Sequence, residues 1–208
     1  MSETNSKKKK NTQPFLAPIL FMVLLSAILS FVLAYLNQTT YDVIREQEEL
    51  AVQKSILYAL GVSYDSEEEL QQLIEKNLKM VESKDSHYYE YKEDETTVGY
   101  AFPLDGKALW GSVEGYGAVD SKVSTLLGVD FVKHSETPGL GGRISEDWYK
   151  DQFRGIDISG EAPYVSYRPA ADGNVDAITG ATLTSDSIRE IVNSGIDRFK
   201  AEFQEVTP

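Results

Sequence analysis

Residues 15–36 restrict what this chain can become more than any other stretch. They run from Phe15 to Leu36 without a charged side chain, and only Ser26 and Ser30 break the apolar sequence. About 20 such residues cross the hydrocarbon layer as a helix, which satisfies its own backbone. Pro18 falls in the first turns, where a missing N–H costs least. A buried core helix of this length is a poor fit. A cleaved secretory signal carries an apolar run of about 7–15 residues and a small-residue exit. This run is longer, and no Ala-x-Ala follows it. The expectation is a retained transmembrane helix over 15–36, after a basic tail at 1–14. Lys7, Lys8, Lys9 and Lys10 precede it, while Asp42, Glu46, Glu48 and Glu49 follow. Lysines before a span predict a cytoplasmic N-terminus. The chain is thus expected to be single-pass in the cytoplasmic (inner) membrane, with its C-terminal part periplasmic or extracellular.

The remainder reads as alternating helical and extended segments. Residues 41–60 are helical in pattern, and Gly61 is placed to stop them. Ser66 and Glu69 have capping-box spacing, and Leu70, Leu73, Ile74, Leu78 and Val81 follow at helical period. A helix over 66–82 is expected, so that 37–84 forms a helical stalk and a helix. His87-Tyr88-Tyr89-Glu90-Tyr91-Lys92-Glu93 alternates as a strand does. Further extended runs cover 98–104, 112–119 and 123–132, and a strand-like, Tyr-rich segment precedes residue 176. Ile188, Val192, Ile196, Phe199 and Phe203 mark a last amphipathic helix, with Thr184, Ser185 or Asp186 as its cap. Short strands between two helical regions imply an α+β domain with a mainly antiparallel sheet and flanking helices. Its expected extent is 85–208.

Composition removes several functions. Lys and Arg total 20 against 33 Asp and Glu, a formal net charge of -13. Nucleic-acid binding needs a basic surface, so no such partner is expected. There is no cysteine, so an iron–sulfur cluster has no thiolates here. Two histidines, His87 and His134, do not make a histidine-only metal site, and none is expected. A redox role therefore requires an organic carrier or a second polypeptide.

Two stretches carry chemistry. In Asp176-Ala177-Ile178-Thr179-Gly180-Ala181-Thr182-Leu183-Thr184-Ser185, small residues precede a helix whose first N–H groups face an anion. Hydroxyls at 179, 182, 184 and 185 lie within local reach of a phosphate there. In Glu136-Thr137-Pro138-Gly139-Leu140-Gly141-Gly142, three glycines in four positions allow a tight loop that presents backbone N–H groups. Neither stretch matches the Gly-x-Gly-x-x-Gly fingerprint or a phosphate loop ending in Gly-Lys-Ser or Gly-Lys-Thr.

The first stretch resembles the flavinylation motif of the FMN-binding domain family: Asp, two residues, Thr or Ser, Gly, Ala, then Thr or Ser. It matches at Asp176, Thr179, Gly180, Ala181 and Thr182. In that family the last hydroxyl carries FMN through a phosphoester bond, so the resemblance implies Thr182 as carrier. Residues 136–141 are similar to the flavin-contacting loop of the NqrC and RnfG components of membrane redox pumps. This likeness implies cofactor contacts at Glu136, Thr137, Pro138, Gly139, Leu140 and Gly141. The segment Gly106-Lys107-Ala108-Leu109-Trp110-Gly111 also resembles them, the NqrC side more closely, and adds Trp110. Overall length is nearer RnfG, which leaves the subfamily open.

What the resemblance implies is a covalent-FMN electron-transfer protein that is part of a membrane enzyme, like the NqrC component of a Na+-translocating NADH:quinone (ubiquinone) oxidoreductase, with no catalytic residue and no independent substrate turnover of its own. The RnfG-like component of an Rnf ferredoxin:NAD+ oxidoreductase is the alternative, and an anchored scaffold without redox chemistry is another. Implied partners are the other subunits of an Nqr or Rnf complex, a flavin transferase and the membrane. His134 is expected to fix its loop by a hydrogen bond.

Overall fold

The structure, a computed structural model, describes residues 16–83 and 86–206. The basic tail at 1–14, with its four lysines, lies outside them, as does Phe15. The chain divides into two compact units, Met1–Glu48 and Glu49–Pro208.

Helix α1, Leu16–Leu60, contributes to both. It contains no glycine, and its one proline, Pro18, sits in the first turn, where no intrahelical N–H bond is lost. Within the first unit the large apolar side chains of α1, from Leu16 through Leu36, are exposed. The helix is long and apolar enough there to cross a membrane. Gly61 at φ +79 ends it, in the left-handed region that glycine enters without a Cβ penalty.

The second unit is built on a six-stranded sheet in the order β1-β2-β3-β4-β5-β6, every pair antiparallel. The strands are β1 Leu78–Glu82, β2 His87–Glu93, β3 Thr96–Lys107, β4 Ser112–Asp120, β5 Thr125–Lys133 and β6 Ile156–Asp157. Alternate residues of β2–β5 enter two cores. On one face Ile56, Leu57, Ala59 and Leu60 at the end of α1 pack with Leu70, Tyr91, Ala101 and Ala118. On the other lie Phe102, Leu104, Val113, Val129 and the apolar stripe of α4, Thr182–Val206. That stripe is Ile188, Val192, Ile196 and Phe199, and Phe199 stacks on Phe102 with centroids 4.7 Å apart. The fold is α+β, with an antiparallel sheet and flanking helices, as expected.

Three local expectations are corrected. The helix begun at the Ser66 cap is α2, Glu67–Asn77, and it stops five residues early. Leu78 and Val81 continue the helical period, but β2 has a free edge, and Leu78–Glu82 pairs with it from Leu78↔Tyr91 to Glu82↔His87. Pairing that edge satisfies backbone groups of both strands, a gain invisible to local periodicity. The Tyr-rich segment before 176 is an irregular loop with one bridge, Tyr167↔Val175, which suits a stretch punctuated by Pro163 and Pro169. Finally, α4 starts at Thr182, so Thr184 and Ser185 lie inside its first turn and do not cap it.

Candidate functional site

The two motif stretches meet at the start of α4. Glu136, 4% exposed, follows the end of β5 and turns inward. Its Oε1 accepts from the Trp110 N–H at 2.8 Å, and its Oε2 accepts from the Thr184 hydroxyl at 2.5 Å. One buried carboxylate thereby fastens the Leu109–Trp110 turn to the first turn of α4. Such charge-assisted bonds offset the cost of burying the charge. Each carboxylate oxygen meets a donor of the protein itself, so Glu136 ties the two segments together.

The loop around Glu136 is fixed from three sides. His134 Nδ1 accepts from the Glu136 N–H at 3.3 Å, so its proton sits on Nε2, which faces Ser145 Oγ at 2.9 Å. The Thr137 carbonyl accepts from Leu140 and Gly142 N–H groups at 3.1 and 2.9 Å. A Cβ on Gly141 would lie 2.6 Å from both Glu136 Oε2 and Thr184 Oγ1. Only glycine lets the loop approach the Glu136–Thr184 bond this closely. Gly141→Ala is expected to force that pair apart and lower stability by about 1–3 kcal/mol, the cost of a buried polar group losing its partner. A fall in the urea midpoint at unchanged slope measures it.

The four hydroxyls of the motif have separate fates. Ser185, fully buried, accepts from the Ile178 N–H at 3.0 Å through its Oγ. Thr184, 1% exposed, is spent on Glu136. Thr179 and Thr182 are exposed. Thr182 is the first residue of α4, where the helix supplies no acceptor to the leading N–H groups. Ala181, buried, starts the helix by accepting from the Ser185 N–H at 2.9 Å. Gly180 has φ +81, and a Cβ there would stand 3.5 Å from Leu140 Cδ2, so the glycine loop and the α4 turn lie side by side. Gly139 and Pro138 are exposed at the tip of that loop.

The loops tied together here carry large apolar side chains that are exposed. Trp110 is 67% exposed, Leu183 62%, and Leu109 and Leu140 47% each. Exposed aromatic and aliphatic side chains beside helix-start amides suit a planar ring attached to an anionic group. FMN has both parts, and the residues present fit it: the amides of the first turn for its phosphate, Trp110 and the leucines for its ring. Asp176 is exposed and paired with Arg168 at 2.7 Å. Arg168 thus answers a carboxylate of the motif itself. Among the described residues no cluster of metal-ligating side chains occurs.

Residues 108–197 match the family model described as FMN-binding domain. The chain is 29% identical over 121 residues to the C component of the Na(+)-translocating NADH-quinone reductase of Chlamydia trachomatis serovar D, covering 48% of this chain and 38% of that protein. It is 33% identical over 115 residues to the G component of the proton-translocating ferredoxin:NAD(+) oxidoreductase complex of Clostridium ljungdahlii, covering 53% and 58%. The alignments therefore span less than two thirds of these curated relatives. The crystal structure of the C component of the Na(+)-translocating NADH-quinone reductase from Parabacteroides distasonis superposes with a TM-score of 0.62 at 28% identity, over 76% of this chain and 92% of that one. Shewanella oneidensis NqrC, at 18% identity, shares the fold with the same TM-score over 75% and 99%. Family model, relatives and fold agree with the motifs at 136–142 and 176–182: residues 108–197 match an FMN-binding domain, and the chain is similar to NqrC- and RnfG-type components.

Proposed function

We propose that this protein carries FMN covalently on Thr182 and relays electrons within a membrane redox complex of the Nqr or Rnf type. The observation that carries the reading is the sorting of the motif's hydroxyls. Thr184 and Ser185 are buried and already bonded, whereas Thr182 stands exposed at the head of α4. FMN supplies one- and two-electron chemistry when bound. The chain's own contribution is to hold it. The α4 amides stabilise the phosphate, Trp110, Leu140 and Leu183 line the ring's surroundings, and Glu136 keeps their loops in register. An exposed rim leaves a flavin edge open to partner subunits, and the chain is read as having no small substrate of its own. The NqrC role in a Na+-translocating NADH:quinone reductase is the reading we favour, because the Leu109–Trp110 turn is tied directly into the site. The RnfG-like role in an Rnf complex uses the same site and differs in its donor. Intact-mass measurement of the membrane-expressed chain, with and without a flavin transferase, tests attachment. A mass unchanged by the transferase would remove the redox reading and leave the anchored scaffold.

The proposed orientation follows from the lysines at 7–10 and the uncharged run after them. We place the N-terminus in the cytoplasm and residues 49–208 outside it. In closed right-side-out vesicles, a C-terminal tag should be digested by added protease. Full protection of that tag would reverse the orientation, and a mature chain beginning after Leu36 would remove the anchor.

A further inference from the structure

The turn that bears Thr182 is gripped at both ends from behind. At one end Gln152 Oε1 accepts from the Asp176 N–H at 2.8 Å. At the other the Tyr167 hydroxyl donates to the Ser185 carbonyl at 2.7 Å. Tyr167 also meets the Tyr149 hydroxyl at 2.7 Å. The single hydrogen of Tyr167 is committed to the carbonyl, so Tyr149 is the donor of that pair. Tyr149 is fully buried, and burial pushes its phenol far up, so it remains a donor. Burial also pushes Tyr167 up to about 12.

Tyr149 belongs to the helical turn α3, Asp147–Lys150, and Gln152 to the 3-10 turn Asp151–Phe153 that follows. This segment is itself anchored. Lys150 Nζ lies 2.8 Å from Asp130 on β5, and the Tyr58 hydroxyl donates to Asp151 at 3.1 Å. Arg154, next in line, donates to the Tyr58 and Leu127 carbonyls, each at 2.9 Å. A fixed bracket therefore stands behind a turn whose outer side is open. The identity of residue 152 points the same way. Gln152 Nε2 is buried without an acceptor, and an unpaired buried donor costs stability. An apolar side chain would fill this place without that cost, so the bond to Asp176 is what the glutamine contributes.

We propose that Gln152 and Tyr167 are positioning residues for flavin attachment: they pin Asp176 and Ser185, the two ends of the turn, so that the Thr182 hydroxyl is presented in one orientation. The inference rests on Thr182 being the flavin carrier. Misplacing a reacting group by about 1 Å slows its reaction by as much as 100-fold.

The test uses the full chain co-expressed with a flavin transferase, and reads attachment rate, thermal midpoint and hydrogen–deuterium exchange over 176–185 in flavin-free protein. Gln152→Met removes the unpaired donor together with the anchor. It is expected to hold or raise the midpoint while attachment slows about tenfold or more. Tyr167→Phe should slow attachment similarly and also lower the midpoint, because Tyr149 is left unpaired. The double variant Tyr149→Phe, Tyr167→Phe should regain midpoint and not rate. In both single variants, Gln152→Met and Tyr167→Phe, the turn should exchange faster. Wild-type attachment rates in both, or rates that merely follow the midpoint across the set, would overturn the proposal. A wild-type chain that takes no flavin would remove the carrier reading, and unchanged exchange in both variants would separately remove the pinning.

Discussion

Thr182→Ala is expected to abolish covalent flavin while leaving the chain folded. Its side chain is exposed at the head of α4, so its loss costs little stability. The hydroxyl is the group a phosphoester requires, and alanine has none. Fluorescence of the denatured band, followed by peptide mass mapping, reads the result. Thr182→Ser keeps the oxygen and should retain attachment in part. The neighbouring positions serve as controls with known costs. Thr184→Ala should still take flavin, but it strips Glu136 Oε2 of its partner and should cost about 1–3 kcal/mol. Thr184→Ser restores the donor and is the cleaner comparison. Covalent flavin persisting in Thr182→Ala, or mapped to Thr179, would reassign the carrier.

Removing the last turns of α1 is expected to unfold the second unit. Ile56, Leu57 and Leu60 cover one face of the sheet together with Leu70. Each buried aliphatic side chain of this size contributes about 1.5–3 kcal/mol. Their sum is comparable to the whole stability of a domain, about 5–15 kcal/mol. A chain beginning at residue 49 should therefore give a cooperative melt by circular dichroism. One beginning at 61, or at the boundary of 85 suggested by the sequence, should aggregate or melt without a transition. A cooperative melt from the chain beginning at 61 would show that α2 alone protects that face. Leu57→Ala in the longer chain offers a graded version, with an expected loss of about 2–5 kcal/mol.

Local signals were legible and distant ones were not. The Ser66 cap is a bond within one turn, from the Glu69 N–H to Ser66 Oγ at 3.2 Å, and the spacing announces it. Glu69 does not close the box on Ser66, however; its Oε2 accepts from the Asp65 N–H at 2.7 Å. Gly61 as a stop and the stripe on α4 were equally local. Strand β1 was hidden because only β2 makes its pairing worthwhile, and β6 because two residues carry no period. At the site, the motif residues were nameable from the sequence. Their division of labour was not, since Thr184 meets Glu136 across 48 positions of sequence. Gln152 and Tyr167 had no signal at all: an isolated glutamine and one tyrosine among 12 look like surface filling.

The meander order of the sheet sets a schedule for biogenesis. Each strand from β2 to β5 pairs with the one made just before it, so the sheet can assemble in the order of synthesis. The turn that bears Thr182 follows all six strands, and its form draws on partners along the length behind it: Glu136 for Thr184, Gln152 for Asp176, β3 for the stripe of α4. An emerging or partly threaded polypeptide lacks that surface. Thr182 sits at the head of α4 among these distant contacts, so an enzyme that recognised this folded shape would act on finished molecules and pass over nascent ones.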